Sequence, residues 1–288
     1  MWTITISEFA SAVVPKDWAA HRLAKGVPYG PHKRQQLDIY APVRASSAAL
    51  PVIVFFYGGA WSEGDRGLYG FAAHALAALG YVVVVPDYRL VPEVEYPDFL
   101  SDCADAVHWV SRNVGGYGGD WTRLVLAGHS AGAYNATSLA LDPKWLNDEN
   151  VSKTVSGVIG LSGPYDFFPF DGPISQRVFG QAEDPQGTQP ITHVGASSPP
   201  MLLVSGGRDK LVLPRNSINL GAALHRAERP ATVRIYPRLA HVGTVLALSL
   251  PLRWIAPVLR DCRDFLAGIT SPAEEAVRPR SLSDAAQQ

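Results

Sequence analysis

Residues 123–141 read RLVLAGHSAGAYNATSLAL, and this stretch decides the fold. After Arg123 the rest of its first six residues are a short, continuous apolar run with no polar alternation, the pattern of a strand buried on both faces. The run ends in Gly128-His129-Ser130-Ala131-Gly132, and a helical pattern over 131–141 starts at once. A strand entering G-x-S-x-G and leaving directly as a helix must turn so tightly that the serine backbone is strained and its hydroxyl projects beyond the sheet. Small residues at 128 and 132 let neighbouring backbone close in. The helix N-terminus then points at Ser130, where its free N–H groups favour an anion.

The same rhythm of strand, turn and helix extends outward in both directions. Strands are predicted at 51–57, 81–87, 123–128, 156–161, 199–206 and 232–236, most of them continuous apolar runs. The segment 34–41 instead alternates, with Leu37, Ile39 and Ala41 on one side, and suits an edge or antiparallel strand. Helices are predicted at 69–79, 97–114, 131–141, 214–227 and 251–267, with Gly80 as the stop of the first. This alternation predicts an α/β fold: an open, mainly parallel central sheet of about eight strands flanked by helices, forming one domain over 1–270. Residues 163–199 are aromatic, proline-rich and aperiodic, and are read as a small cap or pocket wall. The polar tail 271–288 is read as disordered.

Composition removes several classes. The chain has 288 residues, 47% of them hydrophobic, and a formal net charge of -1, which argues against disorder and gives no electrostatic footprint for nucleic acid or an anionic membrane. No apolar stretch is long enough for a membrane span. Cys103 and Cys262 cannot build a disulfide framework and are read as reduced and buried. No metal-ligand spacing and no cofactor motif occurs; Gly115-Gly116-Tyr117-Gly118-Gly119 has no strand before it, so a nucleotide-binding reading fails. The N-terminus lacks the form of a signal peptide, and a cytoplasmic location is expected. Nothing in the sequence specifies an oligomeric state.

A serine hydroxyl is a weak nucleophile and needs a base, itself oriented by a third group. Asp209, after the strand at 199–206, and His241, after the strand at 232–236, both fall at the rim where open α/β sheets bind ligands, in the order nucleophile, acid, base. Asp166 follows another strand and is the rival acid. His129 lies within the elbow and is expected to point away from the reacting face. Tyr57-Gly58-Gly59-Ala60-Trp61 follows the strand at 51–57, and its glycines permit a turn whose N–H groups face a developing oxyanion. Gly59, Ala60 and Ala131 are the candidate donors.

These residues, together with Leu37-Asp38-Ile39-Tyr40-Ala41-Pro42, Asp87-Tyr88-Arg89-Leu90 and Gly206-Gly207-Arg208-Asp209, resemble the α/β-hydrolase superfamily. Within it they are similar to the H-G-G-x-W branch of carboxylesterases, lipase-like esterases and kynurenine formamidases, over about residues 28–268. The resemblance implies Ser130 as nucleophile, Asp209 as orienting acid, His241 as base, and a small-molecule ester as substrate without cofactor or metal. The chain departs from the branch at Tyr57, where the branch carries histidine to brace the oxyanion loop; the tyrosine either braces it differently or shapes the acyl pocket. Tyr57, Gly58, Trp61, Tyr165, Phe167 and Phe168 are the expected substrate contacts. The short cover implies an open pocket for small acyl or aryl groups. An arylformamidase is the alternative, and a non-catalytic binding protein on the same scaffold a remote one.

Overall fold

The computed structural model describes residues 15–44 and 46–270, so the tail read as disordered lies outside the described residues, as do residues 1–14. Eight strands form one sheet: β1 (Ala20–Pro28), β2 (Gln36–Pro42), β3 (Leu50–Phe56), β4 (Val82–Pro86), β5 (Gly119–His129), β6 (Val155–Leu161), β7 (Met201–Gly206) and β8 (Ala231–Tyr236). Their order is β1-β2-β4-β3-β5-β6-β7-β8. From β4 to β8 every pair is parallel, whereas β2 runs antiparallel to both β1 and β4. The alternating segment is thus antiparallel as expected but not an edge. The edge is β1, a mostly exposed strand whose sequence AHRLAKGVP carries too few apolar residues to show a period.

The continuous apolar runs are explained by burial on both faces. Val52, Val54 and Phe56 enter one core layer with Leu124 and Leu126, while Ile53 and Phe55 enter the other with Val125 and Ala127. Helices α1 (Gly70–Ala77), α2 (Asp98–Asn113), α3 (Ala131–Leu141), α4 (Pro173–Phe179), α5 (Arg215–Arg226) and α6 (Val258–Thr270) cover the sheet, with shorter helical turns between them. The first layer takes side chains from α2, α3 and α5, the second from α1 and α6. Gly80, at φ 101°, turns the chain out of α1 toward β4 in a conformation that favours glycine. Helix α6 begins at Val258, later than the pattern at 251–267 suggested, because Pro251 and Pro257 leave only a 3-10 turn ahead of it. Cys103 and Cys262 are both free and buried, one in each layer. Among the described residues no helix is long and apolar enough to cross a membrane.

The parallel strands β3, β5, β6, β7 and β8 all discharge their loops at one end of the sheet. Residues 57–61, 130, 162–166, 207–209 and 237–241 therefore converge there.

Candidate active site

Ser130 sits between β5 and α3 at φ 55°, ψ −123°, a region that a non-glycine residue occupies at a cost of about 1–3 kcal/mol. Two glycines make the turn possible. A Cβ on Gly132 would stand 2.0 Å from the Phe56 carbonyl oxygen, and one on Gly128 would stand 2.3 Å from the Gly132 carbonyl. The strain is held by the Ser130 N–H donating to Leu161 O at 2.8 Å and by Ala133 N–H donating to Ser130 O at 2.9 Å.

The hydroxyl does not stand alone. Ser130 Oγ lies 2.8 Å from His241 Nε2, and His241 Nδ1 lies 2.8 Å from Asp209 Oδ2. A carboxylate only accepts, so Nδ1 carries the proton and Nε2 is left to accept from the serine. Asp209 is buried, which works to raise its pKa; the bond from His241 and the Leu211 and Val212 N–H groups on its other oxygen outweigh that and hold it below the usual carboxylate range. The acid is thereby kept ionised opposite the imidazole. Asp166, the rival, accepts from Asn219 Nδ2 at 2.6 Å instead.

The loop after β3 approaches the serine from the other side. Gly59 has φ 149°, and a Cβ there would stand 2.0 Å from the Glu63 carbonyl oxygen. Ala60 and Trp61 follow with φ 50° and 56°. The Gly59 carbonyl accepts from the Ser62 and Glu63 N–H groups, closing the turn. Within the described residues no hydrogen bond leaves the N–H of Gly59, Ala60 or Ala131. Ala60 and Ala131 border the same cavity as the Ser130 hydroxyl, so backbone N–H groups without an internal partner stand beside it.

A cavity of about 410 Å³ opens on Ser130, Ala60 and Ala131. Its walls are largely apolar: Trp61 and Phe167 on one side, Ile174 from α4, and Leu211, Val212 and Leu213 from the segment after Asp209. The size suits a small organic ligand with few polar contacts.

A model of the BD-FAE family matches residues 37–224, about two thirds of the chain. The chain belongs to the BD-FAE family. Esterase LipC of Mycobacterium tuberculosis is 30% identical over 203 residues, 64% of this chain and 50% of that protein. The probable isoprenylcysteine alpha-carbonyl methylesterase ICMEL2 of Arabidopsis thaliana is 30% identical over 256 residues, 81% of this chain and 60% of that one. The chain thus spans half to three fifths of the length of these relatives. Among solved structures, esterase B from Lactobacillus rhamnosis, inhibited by a tributyrin phosphonate, superposes with a TM-score of 0.80 at 20% identity, covering 92% of this chain and 90% of that one. The shared architecture is the α/β-hydrolase fold.

In this BD-FAE chain the expected substrate contacts divide. Trp61 and Phe167 line the cavity, but Tyr57, Tyr165 and Phe168 do not. Tyr57 is fully buried beneath the loop; its hydroxyl accepts from Arg34 at 2.7 Å, its ring stacks on Tyr88, and its carbonyl accepts from the Tyr88 hydroxyl at 2.9 Å. Arg34 also donates to Gly64 O at 2.8 Å, so the tyrosine braces the loop after β3 and stays out of the cavity. Tyr165 is buried below the site, and Phe168 turns outward to pack on Phe170. Gly58 is likewise no pocket wall: it abuts the elbow, where a Cβ would stand 2.9 Å from both His129 O and Ser130 Cβ.

From the 163–199 segment, Pro164, Phe167 and residues 171–175, at the start of α4, line the cavity. The wall built by Lys210–Leu213 was missed, although it follows Asp209 directly; a stretch reading KLVL looks like an ordinary apolar run. Asn216 was missed too. Its side-chain oxygen accepts from the Tyr165 and Asp166 N–H groups at 2.8 and 2.9 Å and ties the two walls together.

Proposed function

We propose that the chain is a serine hydrolase of carboxylic esters with short acyl or aryl groups, acting through an acyl-enzyme on Ser130. The observation that carries this reading is the continuous line from Asp209 through His241 to the Ser130 hydroxyl, opening on three free backbone donors. As Ser130 Oγ attacks the ester carbonyl, its proton passes to His241 Nε2, and Asp209 stabilises the imidazolium that forms. The carbonyl oxygen gains negative charge and meets the N–H groups of Gly59, Ala60 and Ala131, each such donor contributing roughly 3–4 kcal/mol in related chemistry. His241 then protonates the departing alcohol oxygen. Water, deprotonated by the same nitrogen, attacks the acyl-enzyme and regenerates the serine.

The cavity is mostly apolar, though Asp171, Lys210 and Arg215 also line it, and this supports a largely apolar acyl group. The named esterases among the relatives support ester over formamide chemistry. A panel of p-nitrophenyl esters of increasing acyl length, with N-formylkynurenine beside them, tests the assignment. The short esters are expected to turn over fastest, and Ser130→Ala to lower kcat/KM by roughly 10⁴-fold or more. Preference for the formamide, or activity that survives in Ser130→Ala, contradicts it.

A further inference from the structure

The residue that precedes the serine is buried, ionisable and unused by the reaction just described. His129 Nε2 lies 3.3 Å from the backbone carbonyl of His241, and its Nδ1 lies 2.9 Å from the Tyr69 hydroxyl. A carbonyl oxygen can only accept, so Nε2 carries the hydrogen. Nδ1 of the neutral ring is then an acceptor, and the Tyr69 hydroxyl donates to it. The neutral form is enforced: burial first, and the neighbouring His241 ring second, push the His129 pKa down to about 3, against smaller pulls from the bond to the His241 backbone and from Asp209. Two neutral groups therefore hold one tautomer.

The contacts reach all three loops of the site. His129 belongs to the nucleophile elbow. Tyr69 lies beside the oxyanion loop, its ring tilted against Tyr57, and the Gly58 N–H faces its hydroxyl. The His241 carbonyl is gripped from a second side by the Thr244 hydroxyl at 3.2 Å, which accepts in turn from Ser162 at 2.9 Å. The side chain of His241 is fixed by Asp209, whereas its backbone is fixed by His129 and Thr244.

We infer that His129 is a positioning residue that sets the height of the His241 backbone above the elbow, and so keeps Nε2 within reach of Ser130, with Tyr69 holding the His129 ring in the required tautomer. The inference rests on the serine-hydrolase reading above. A drift of about 1 Å in such a base costs on the order of a hundredfold in rate without touching substrate binding.

Two replacements of the same ring separate positioning from packing. The side-chain amide of His129→Gln reaches the place of Nε2 and can still donate to His241 O. That of His129→Asn reaches only as far as Nδ1 and loses the contact. With a short p-nitrophenyl ester, His129→Asn is expected to lower kcat by about tenfold to a hundredfold with KM unchanged, and His129→Gln to restore kcat to within about fivefold of the parent. Equal kcat in the two variants, whether both high or both low, overturns the inference. Should His129→Asn fail to fold, Tyr69→Phe serves, since it removes one hydroxyl and no volume from the core: a fall in kcat of about threefold or more at constant KM supports the role, and an unchanged kcat overturns it. An inactive parent protein defeats the hydrolase reading itself, whereas an active parent with indifferent variants defeats only the role of His129.

Discussion

At the residue scale, the site depends on groups whose ordinary preferences are overridden. Ser130 is kept in a strained conformation by glycines on either side, and His129 is kept neutral by burial. The second of these has a consequence for stability. The folded pKa of His129 lies at about 3, below its ordinary value of 6.5. As pH falls below about 6.5 the unfolded chain takes up a proton that the native site refuses, so the contribution to stability is full above that pH and is lost progressively toward pH 3. His74, also lowered by burial, adds in the same direction. Thermal unfolding at about pH 7.5 and pH 5 is expected to show a smaller acid-induced drop in Tm for His129→Gln than for the parent. Equal drops would show that His129 does not titrate as the structure requires. The sequence placed this ring away from the reacting face, and no spacing rule joins Tyr69 to position 129 across α1, β4, α2 and most of β5.

At the scale of single elements, α4 shows where patterning stops being informative. Seven residues, PISQRVF, make too few turns for a helical period to register, and the surrounding prolines read as loop. What fixes α4 is tertiary packing. Phe179 at its end is fully buried and meets the rings of Trp61, Tyr96, Phe99, Tyr134, Phe167 and Phe170. Trp61 in turn donates its indole N–H to Asn135 on α3 at 3.0 Å, so one aromatic cluster joins the loop after β3, helix α3 and the cavity wall at α4. Phe179→Ala is expected to cost about 3–5 kcal/mol in urea unfolding and, where the protein remains folded, to raise KM for short esters more than it lowers kcat. A loss below about 1 kcal/mol would mean that α4 is not anchored through this ring. The long helices, by contrast, were legible because α2, α3 and α5 each present several turns to one core layer.

At the scale of the whole molecule, the near-zero net charge conceals a concentrated internal balance. Asp38 on β2 and Asp87 after β4, both buried, share Arg66, whose Nε donates to Asp38 at 2.8 Å and whose Nη1 pairs with Asp87. Arg89 pairs with the fully buried Asp102 on α2. Asp38 belongs to LDIYAP and Asp87 and Arg89 to DYRL, which the sequence offered only as points of likeness; Arg66 and Asp102 lie outside both. The physical role of these pairs is to fasten β2 and the segment leading out of β4 behind the loop after β3. Such a role cannot be read from spacing, because the partners lie on a strand, a turn, a loop and a helix at unrelated separations. The meeting of Ser130, Asp209 and His241 was legible for the opposite reason: each follows a strand of its own, and parallel strands deliver their ends to one rim. The account therefore stands or falls on whether that rim makes Ser130 a nucleophile. Intact-mass measurement after exposure to an organophosphonate ester tests this directly. The account predicts a single phosphonyl adduct on the parent, mapping to Ser130, and none on Ser130→Ala; an unmodified parent, or an equal adduct on Ser130→Ala, would contradict it.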